Sequence, residues 1–270
     1  MDVTTHFVVL PLWLSGLLLV GGTTLVATFG PMLVRRYVAL ERLSTNNEVA
    51  GAKFQTLGTI YAVLLAFAVI TVWEKFHDAE AAVTQEAGAV TALYRLSRSL
   101  DPDARARVQG ELARYLRIVV ADDWPAMARG KRSRDATAAL SGIYDAVLAD
   151  EPSNSRGEAV LAAMLDQLDQ MTGARRTRLS LASGIVPGAV WLVLFVGAVL
   201  TVVFTFFFGT ANLRAQTWMT AMLTLMLAMS LLIVMLLDHP FAGDVRVTAE
   251  ALERVLEDFG GGPPSGSGAR

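Results

Sequence analysis

Apolar residues in this chain gather into four long runs separated by polar, charge-bearing stretches. The runs are Phe7 to Gly30, Phe54 to Val72, Ile185 to Phe208 and Trp218 to Leu237, and none contains Asp, Glu, Lys, Arg or His. A bilayer core about 30 Å thick needs about 20 apolar residues in a helix, so each run is read as a transmembrane helix. The first run is too long for a secretory signal. It follows an N-terminus without Lys or Arg, MDVTTH, and is succeeded by Arg35 and Arg36, which marks a retained span rather than a cleaved leader.

Four spans put both termini and the long segment 73–184 on one side of the bilayer. Arg35, Arg36, Arg42, Lys53 and Arg214 flank the spans on the other side. Lys75, Arg175, Arg176, Arg178, Arg246 and Arg254 stand against them. The two sets nearly balance, so the positive-inside rule leaves the orientation open.

The chain does not break after Val72. Phe76, Val83 and Val90 recur every seven residues, with Leu93 and Leu100 on the adjoining stripe, a pattern that suits a helix face seeking partners. Thr45 and Glu48 stand at capping-box spacing, so one helix is expected from about 46 to about 100. Asp101-Pro102 suits an N-cap and first helical position. Val108, Leu112, Tyr115 and Val119 follow at helical spacing. The stretch 121–135 reads as a connector, and Leu140, Ile143 and Val147 mark another helix. Ser155 and Glu158 form a second capping box ahead of the stripe Leu161, Met164, Leu168 and Met171.

No sustained period-two pattern predicts a sheet. The expected fold is all-α: an integral membrane protein with four transmembrane helices and an extramembrane helical bundle inserted between helices 2 and 3. Its segments are 1–72 (helices 1 and 2), 73–184 (bundle), 185–237 (helices 3 and 4), 238–259 (an amphipathic segment) and 260–270 (a flexible tail).

Composition agrees with a membrane protein. The chain is 53% hydrophobic and only 18% charged, with a mean hydropathy of +0.46, whereas soluble domains carry about 25% charged residues. The net charge of -2 gives no case for nucleic acid. The absence of cysteine excludes disulfides and thiolate sites. P-loop, dinucleotide-binding and zinc-protease motifs are missing, so an enzyme is not expected, nor is a metal or cofactor. Glu74-x-x-His77 has a metal-ligand spacing, but no second copy of it exists to complete a site, and a solvated first turn outside the membrane explains it better. The spans hold no ionisable group, which disfavours a proton-coupled transporter.

The second run carries the candidate chemistry. Gly51, Gly58, Ala62 and Ala66 form a small-residue packing face, the kind that lets helices approach closely in lipid. Gly184-x-x-x-Gly188 repeats the pattern at the third span. The other face of the second helix reads Lys53, Leu57, Ile60, Leu64, Phe67, Thr71, Glu74 and Asp78; in a channel Asn46 and Asn47 would join Lys53 at one mouth. Large apolar residues between a basic mouth and an acidic mouth suit a dewetting constriction in a pore; the same list also suits a surface facing lipid. Met219, Met222, Met226 and Met229 read as flexible apolar packing, and Phe204 to Phe208 as an interfacial aromatic belt.

Residues 41–76, ERLSTNNEVAGAKFQTLGTIYAVLLAFAVITVWEKF, and 237–243, LDHPFAG, resemble a bacterial membrane family described as bestrophin-like. The resemblance implies a multi-pass protein of the bacterial inner membrane that self-associates around its second helix. Bestrophins are pentameric anion channels with an apolar neck on that helix. By this resemblance the expected function is a homo-oligomeric, anion-conducting channel whose partners are lipid, small ions and further copies of itself. The competing expectation is a membrane-anchored sensor or scaffold whose 73–184 bundle binds a ligand or partner.

Overall fold

The computed structural model describes residues 11–45, 47–149, 152 and 154–260. Asn46 and the tail from 261 therefore lie outside the described residues, as does the start of the first apolar run. Among the described residues every regular element is helical. Four helices are long and apolar enough to cross a membrane.

The helices are α1 (Leu12–Gly16), α2 (Gly22–Tyr37), α3 (Leu40–Ser44), α4 (Asn47–Leu96), α5 (Pro102–Ile118), α6 (Trp124–Met127), α7 (Arg134–Leu148), α8 (Ser155–Leu181), α9 (Gly188–Phe206), α10 (Leu213–Leu237) and α11 (Glu250–Phe259). A π-turn, Leu17–Gly21, joins α1 to α2, and a second one, Val119–Asp123, joins α5 to α6. The first membrane helix continues past the expected end at Gly30 to Tyr37. Arg35 and Arg36 occupy its last turn, where cations favour the negative end of the helix dipole, so their charge does not stop it.

α4 is a single 50-residue helix, as the uninterrupted pattern predicts. Thr45 does not cap it: its hydroxyl donates to the Glu41 carbonyl (2.6 Å) and closes α3. The N-cap of α8 is likewise Asn154 rather than Ser155, its side chain accepting from Gly157 N–H (2.9 Å). The predicted connector from 121 begins later than expected, because α5 passes through the π-turn into α6 before the chain turns at Gly130.

The chain divides into two units. Among the described residues, the first holds those from 11 to 75, 184–239 and 243–245; the second holds those from 76 to 183, 240–242 and 246–260. In the first unit α2, α4, α9 and α10 pack with sparse burial, and many large apolar side chains remain exposed, as suits helices solvated by lipid. In the second, α5, α7, α8, α11 and the later part of α4 close over a dense core of Leu93, Val108, Leu112, Leu116, Ile143, Leu168 and Met171. α11 joins that core through Leu252, while Phe259 stacks on Tyr94 with ring centroids 3.9 Å apart.

Candidate functional site

α4 meets its own chain in the first unit along one stripe, in which Tyr61, Leu65, Ala68 and Val72 are buried. Three contacts hold that stripe. The Asn47 side chain bonds Gly209 from both ends, its amide donating to the carbonyl (2.8 Å) and its oxygen accepting from the N–H (3.0 Å). Phe54 packs on Phe204 and Phe208, with centroids 5.7 and 5.5 Å away. The Tyr61 hydroxyl donates to the Leu194 carbonyl on α9 (3.0 Å). Gly197 permits this last contact, since a Cβ there would lie 2.5 Å from the Tyr61 ring.

The rest of the α4 circumference is open. Ile60 is 57% exposed, Leu64 43% and Phe67 66%. Lys53, Thr71, Glu74 and Asp78 are exposed as well, while Asn47 and Leu57 are half-buried. Val63 and Ile70, 49% and 52% exposed, lie with Phe67 across the helix from the packed stripe; the sequence list contains only Phe67 of these three. Gly51 and Gly58 meet nothing within 4 Å of a built Cβ, and Ala62 and Ala66 are exposed. The small-residue face thus seats no helix of its own chain.

Gly184 corrects an expectation. It is not on a helix: its φ is +90°, and the His239 ring lies 3.2 Å from where a Cβ would stand. Gly188 is the first residue of α9 and has open space beside it. The G-x-x-x-G spacing therefore spans a turn, not a packing seam, because Pro187 biases the residue before it away from helical geometry. The phenylalanine cluster also departs from a simple belt. Phe204 and Phe208 pack on Phe54, and Phe206 leaves no room for a Cβ on Gly30.

At the end of α10, Asp238 is 2% exposed. Its Oδ1 accepts from Ile185 N–H (2.9 Å) and Val186 N–H (2.7 Å), and its Oδ2 accepts from Trp191 Nε1 (3.3 Å). One carboxylate thus ties the close of α10 to the start of α9. This gives the LDHPFAG string a structural task.

The second unit contains a buried ionic cluster. Arg178 on α8 is fully buried. It donates to Glu86 on α4 from Nε (2.7 Å) and Nη2 (3.1 Å), and to Asp123 (3.3 Å). Its guanidinium lies 4.9 Å from the centroid of the Trp124 ring. The Tyr115 hydroxyl donates to Glu86 at 2.5 Å. Asp123 also accepts from Ser133 N–H (3.0 Å) and pairs with Arg175 (3.5 Å). Two carboxylates face two guanidiniums, so the cluster is neutral as a set, which is the condition for burying charge. Burial alone would lower the Arg178 value; the charge and hydrogen bonds of Glu86, with Tyr115 and Asp123, outweigh it and hold the guanidinium above its usual range. Burial first, and then the Glu86 charge, push the Tyr115 phenol well above 10.

A family model described as a Bestrophin-like domain matches residues 21–252. The chain belongs to the Bestrophin-like family. Its fold agrees with structures of a bacterial bestrophin homologue from Klebsiella pneumoniae. A form solved by zinc phasing is 18% identical, with a TM-score of 0.70 over 90% of this chain and 98% of that one. Two single-substitution variants of the homologue, 17% and 18% identical, both have TM-scores of 0.72, each over 90% of this chain and 99% of that one. At this identity the likeness is one of fold. No curated protein matches the sequence.

The Bestrophin-like match covers α4, the ionic cluster and Asp238. Sequence reasoning found the first and missed the other two. A signal was present for the cluster. Ala79, Glu86 and Leu93 share one seven-residue stripe beside Val83 and Val90, so Glu86 is a charge at an apolar position. The α8 stripe Leu168, Met171 runs on at helical spacing into Arg175 and Arg178.

Proposed function

We propose that this Bestrophin-like protein is the subunit of a homo-oligomeric ion channel of the membrane, in which α4 lines the conduit and anions are preferred. One observation carries the reading. The membrane part of α4 engages its own chain through a single stripe and leaves an exposed arc that is apolar in the middle and polar at both ends. Copies arranged around an axis would turn that arc inward and let the small residues Gly58, Ala62 and Ala66 meet a neighbouring helix. Phe67, with Val63 and Ile70 most directly opposite the packed stripe, forms the constriction, flanked by Ile60 and Leu64. Lys53 stands at one mouth and gives it a positive field, while Asn47 is committed to Gly209 on the packed side of the helix; Glu74 and Asp78 stand at the other, beyond Thr71. Leu57, half-buried beside the packed stripe, contributes least.

The test is reconstitution of the full chain in liposomes, with its oligomeric state in detergent measured alongside. The reading expects a multi-subunit ring and chloride flux. Phe67→Ser should raise flux by opening the dewetted segment, and Lys53→Glu should lower the anion-to-cation ratio. A monomer or dimer without flux would refute the channel and return the sensor or scaffold reading.

A further inference from the structure

The first unit contains a groove of about 900 Å³ between α2, α9 and α10, lined by Leu18, Val26, Leu33, Val199, Val203 and Leu231. Along the first membrane helix it extends from Leu18 to Arg36, about 27 Å at 1.5 Å per residue, which is nearly the full thickness of a hydrocarbon core. The groove is apolar for most of its length and cationic at one end. The exposed Arg36 forms part of the lining and makes no ion pair among the described residues. At the adjoining position Arg35 donates to the Thr210 carbonyl. Two further polar atoms of this pair, Arg35 Nε and Thr210 Oγ1, are buried without a hydrogen-bond partner.

We infer that this groove holds one anionic phospholipid, with its acyl chain lying along α2 and its phosphate at Arg36. The occupant has to be long, thin and apolar, with an acceptor-rich negative group at a single end. A bilayer supplies that molecule from the side. A neighbouring copy's apolar helix would match the apolar length of the groove but not its cationic end, which is the reason for assigning lipid. Both lipid classes offer a phosphate for the charge-assisted contact; the ammonium of a zwitterionic headgroup repels the guanidinium, whereas an anionic headgroup of equal chain length leaves the attraction unopposed. The assignment is independent of whether the protein conducts ions.

The experiment is native mass spectrometry of the full-length oligomer titrated with phosphatidylglycerol or with phosphatidylcholine of the same chains. Thermal shift is measured in parallel. Wild type should bind phosphatidylglycerol saturably at one per chain, about tenfold more tightly than phosphatidylcholine. Arg36→Gln should abolish that preference. Gly22→Leu projects into the groove from a position where a Cβ meets nothing within 4 Å, and it should reduce binding of both lipids, with an unchanged melt in the absence of lipid checking that it folds. Equal binding of the two lipids by wild type would overturn the inference. So would Arg36→Gln retaining the preference, or Gly22→Leu dissociating the oligomer with no lipid retained, which would make the groove a contact between copies.

Discussion

Replacing Arg178 by Met removes the guanidinium that Glu86 and Asp123 share, and the cost can be worked from the geometry. Glu86 and Arg178 are both fully buried, and Glu86 would keep only the Tyr115 hydroxyl. Asp123 would keep Arg175 and the Ser133 amide. The variant therefore leaves one uncompensated negative charge in a dry core. Breaking a buried pair in this way costs about 3–5 kcal/mol, or roughly 6–20 °C of melting temperature for a unit of this size. Glu86→Gln alone leaves one excess positive charge and should cost a similar amount. The double variant Glu86→Gln/Arg178→Met is neutral as a set, and the carboxamide it places on α4 still accepts from Tyr115. It should therefore recover much of the loss rather than sum the two costs, as expected of residues in one network. Trp124, one of five tryptophans in the chain, lies against the guanidinium, so intrinsic fluorescence during thermal unfolding in detergent includes a reporter at the site, isolated by comparison with Trp124→Phe. A double variant as unstable as the sum of the singles would refute the pairing, and so would an Arg178→Met protein that melts like wild type.

Three further outcomes follow from the same contacts. The Tyr115 phenol is held neutral above 10 in the fold but ionises near 10 when unfolded. Stability should thus be full below pH 10 and fall as pH rises beyond it, because the unfolded state releases its proton first; Tyr115→Phe should flatten that alkaline fall in melting temperature. Asp238→Ala strands the Ile185 and Val186 amides and should cost about 3–6 kcal/mol, since hydrogen bonds to charged groups contribute about 1.5–3 kcal/mol each. Asp238→Asn keeps an acceptor and should cost less, and identical melts for the two variants would exclude the clasp. Gly197→Val drives a methyl into the Tyr61 ring and should destabilise by about 1–3 kcal/mol through overpacking, with an unchanged melt counting against the α4–α9 contact.

The four long apolar helices were legible because uninterrupted apolar runs are a strong signal, and α4 because nothing between Asn47 and Leu96 breaks a helix. Boundaries were less legible. Arg35 and Arg36 look like the end of a span but belong to the last helical turn, and Gly184 looks like a packing glycine but takes a positive φ that only the fold reveals. The ionic cluster was hidden for a different reason. Glu86, Tyr115, Asp123 and Arg178 are far apart in the sequence, and a lone charge on an apolar stripe does not announce its partner. Asp238 was visible in its motif, but the amides it serves belong to residues more than 50 positions earlier.

α4 is fixed by two kinds of polar contact, and the difference follows the surroundings. In the first unit its pins are neutral: an amide on Gly209 and a hydroxyl on the Leu194 carbonyl. Neutral groups cost far less than ions to remove from water, so an apolar helix long enough to cross a membrane is held without introducing a charge. In the second unit the pin is ionic, at Glu86, where four charges and a phenol satisfy one another inside a well-packed core. Within the first unit, Asn47 and Tyr61 fix the position and rotation of the helix from the packed stripe alone. The opposite arc, with Val63, Phe67 and Ile70, is left with no structural duty toward its own chain. A surface so relieved can vary in polarity without unfolding the subunit, which is why substitutions at Phe67 should change conduction while leaving the stability within about 0.5 kcal/mol of wild type.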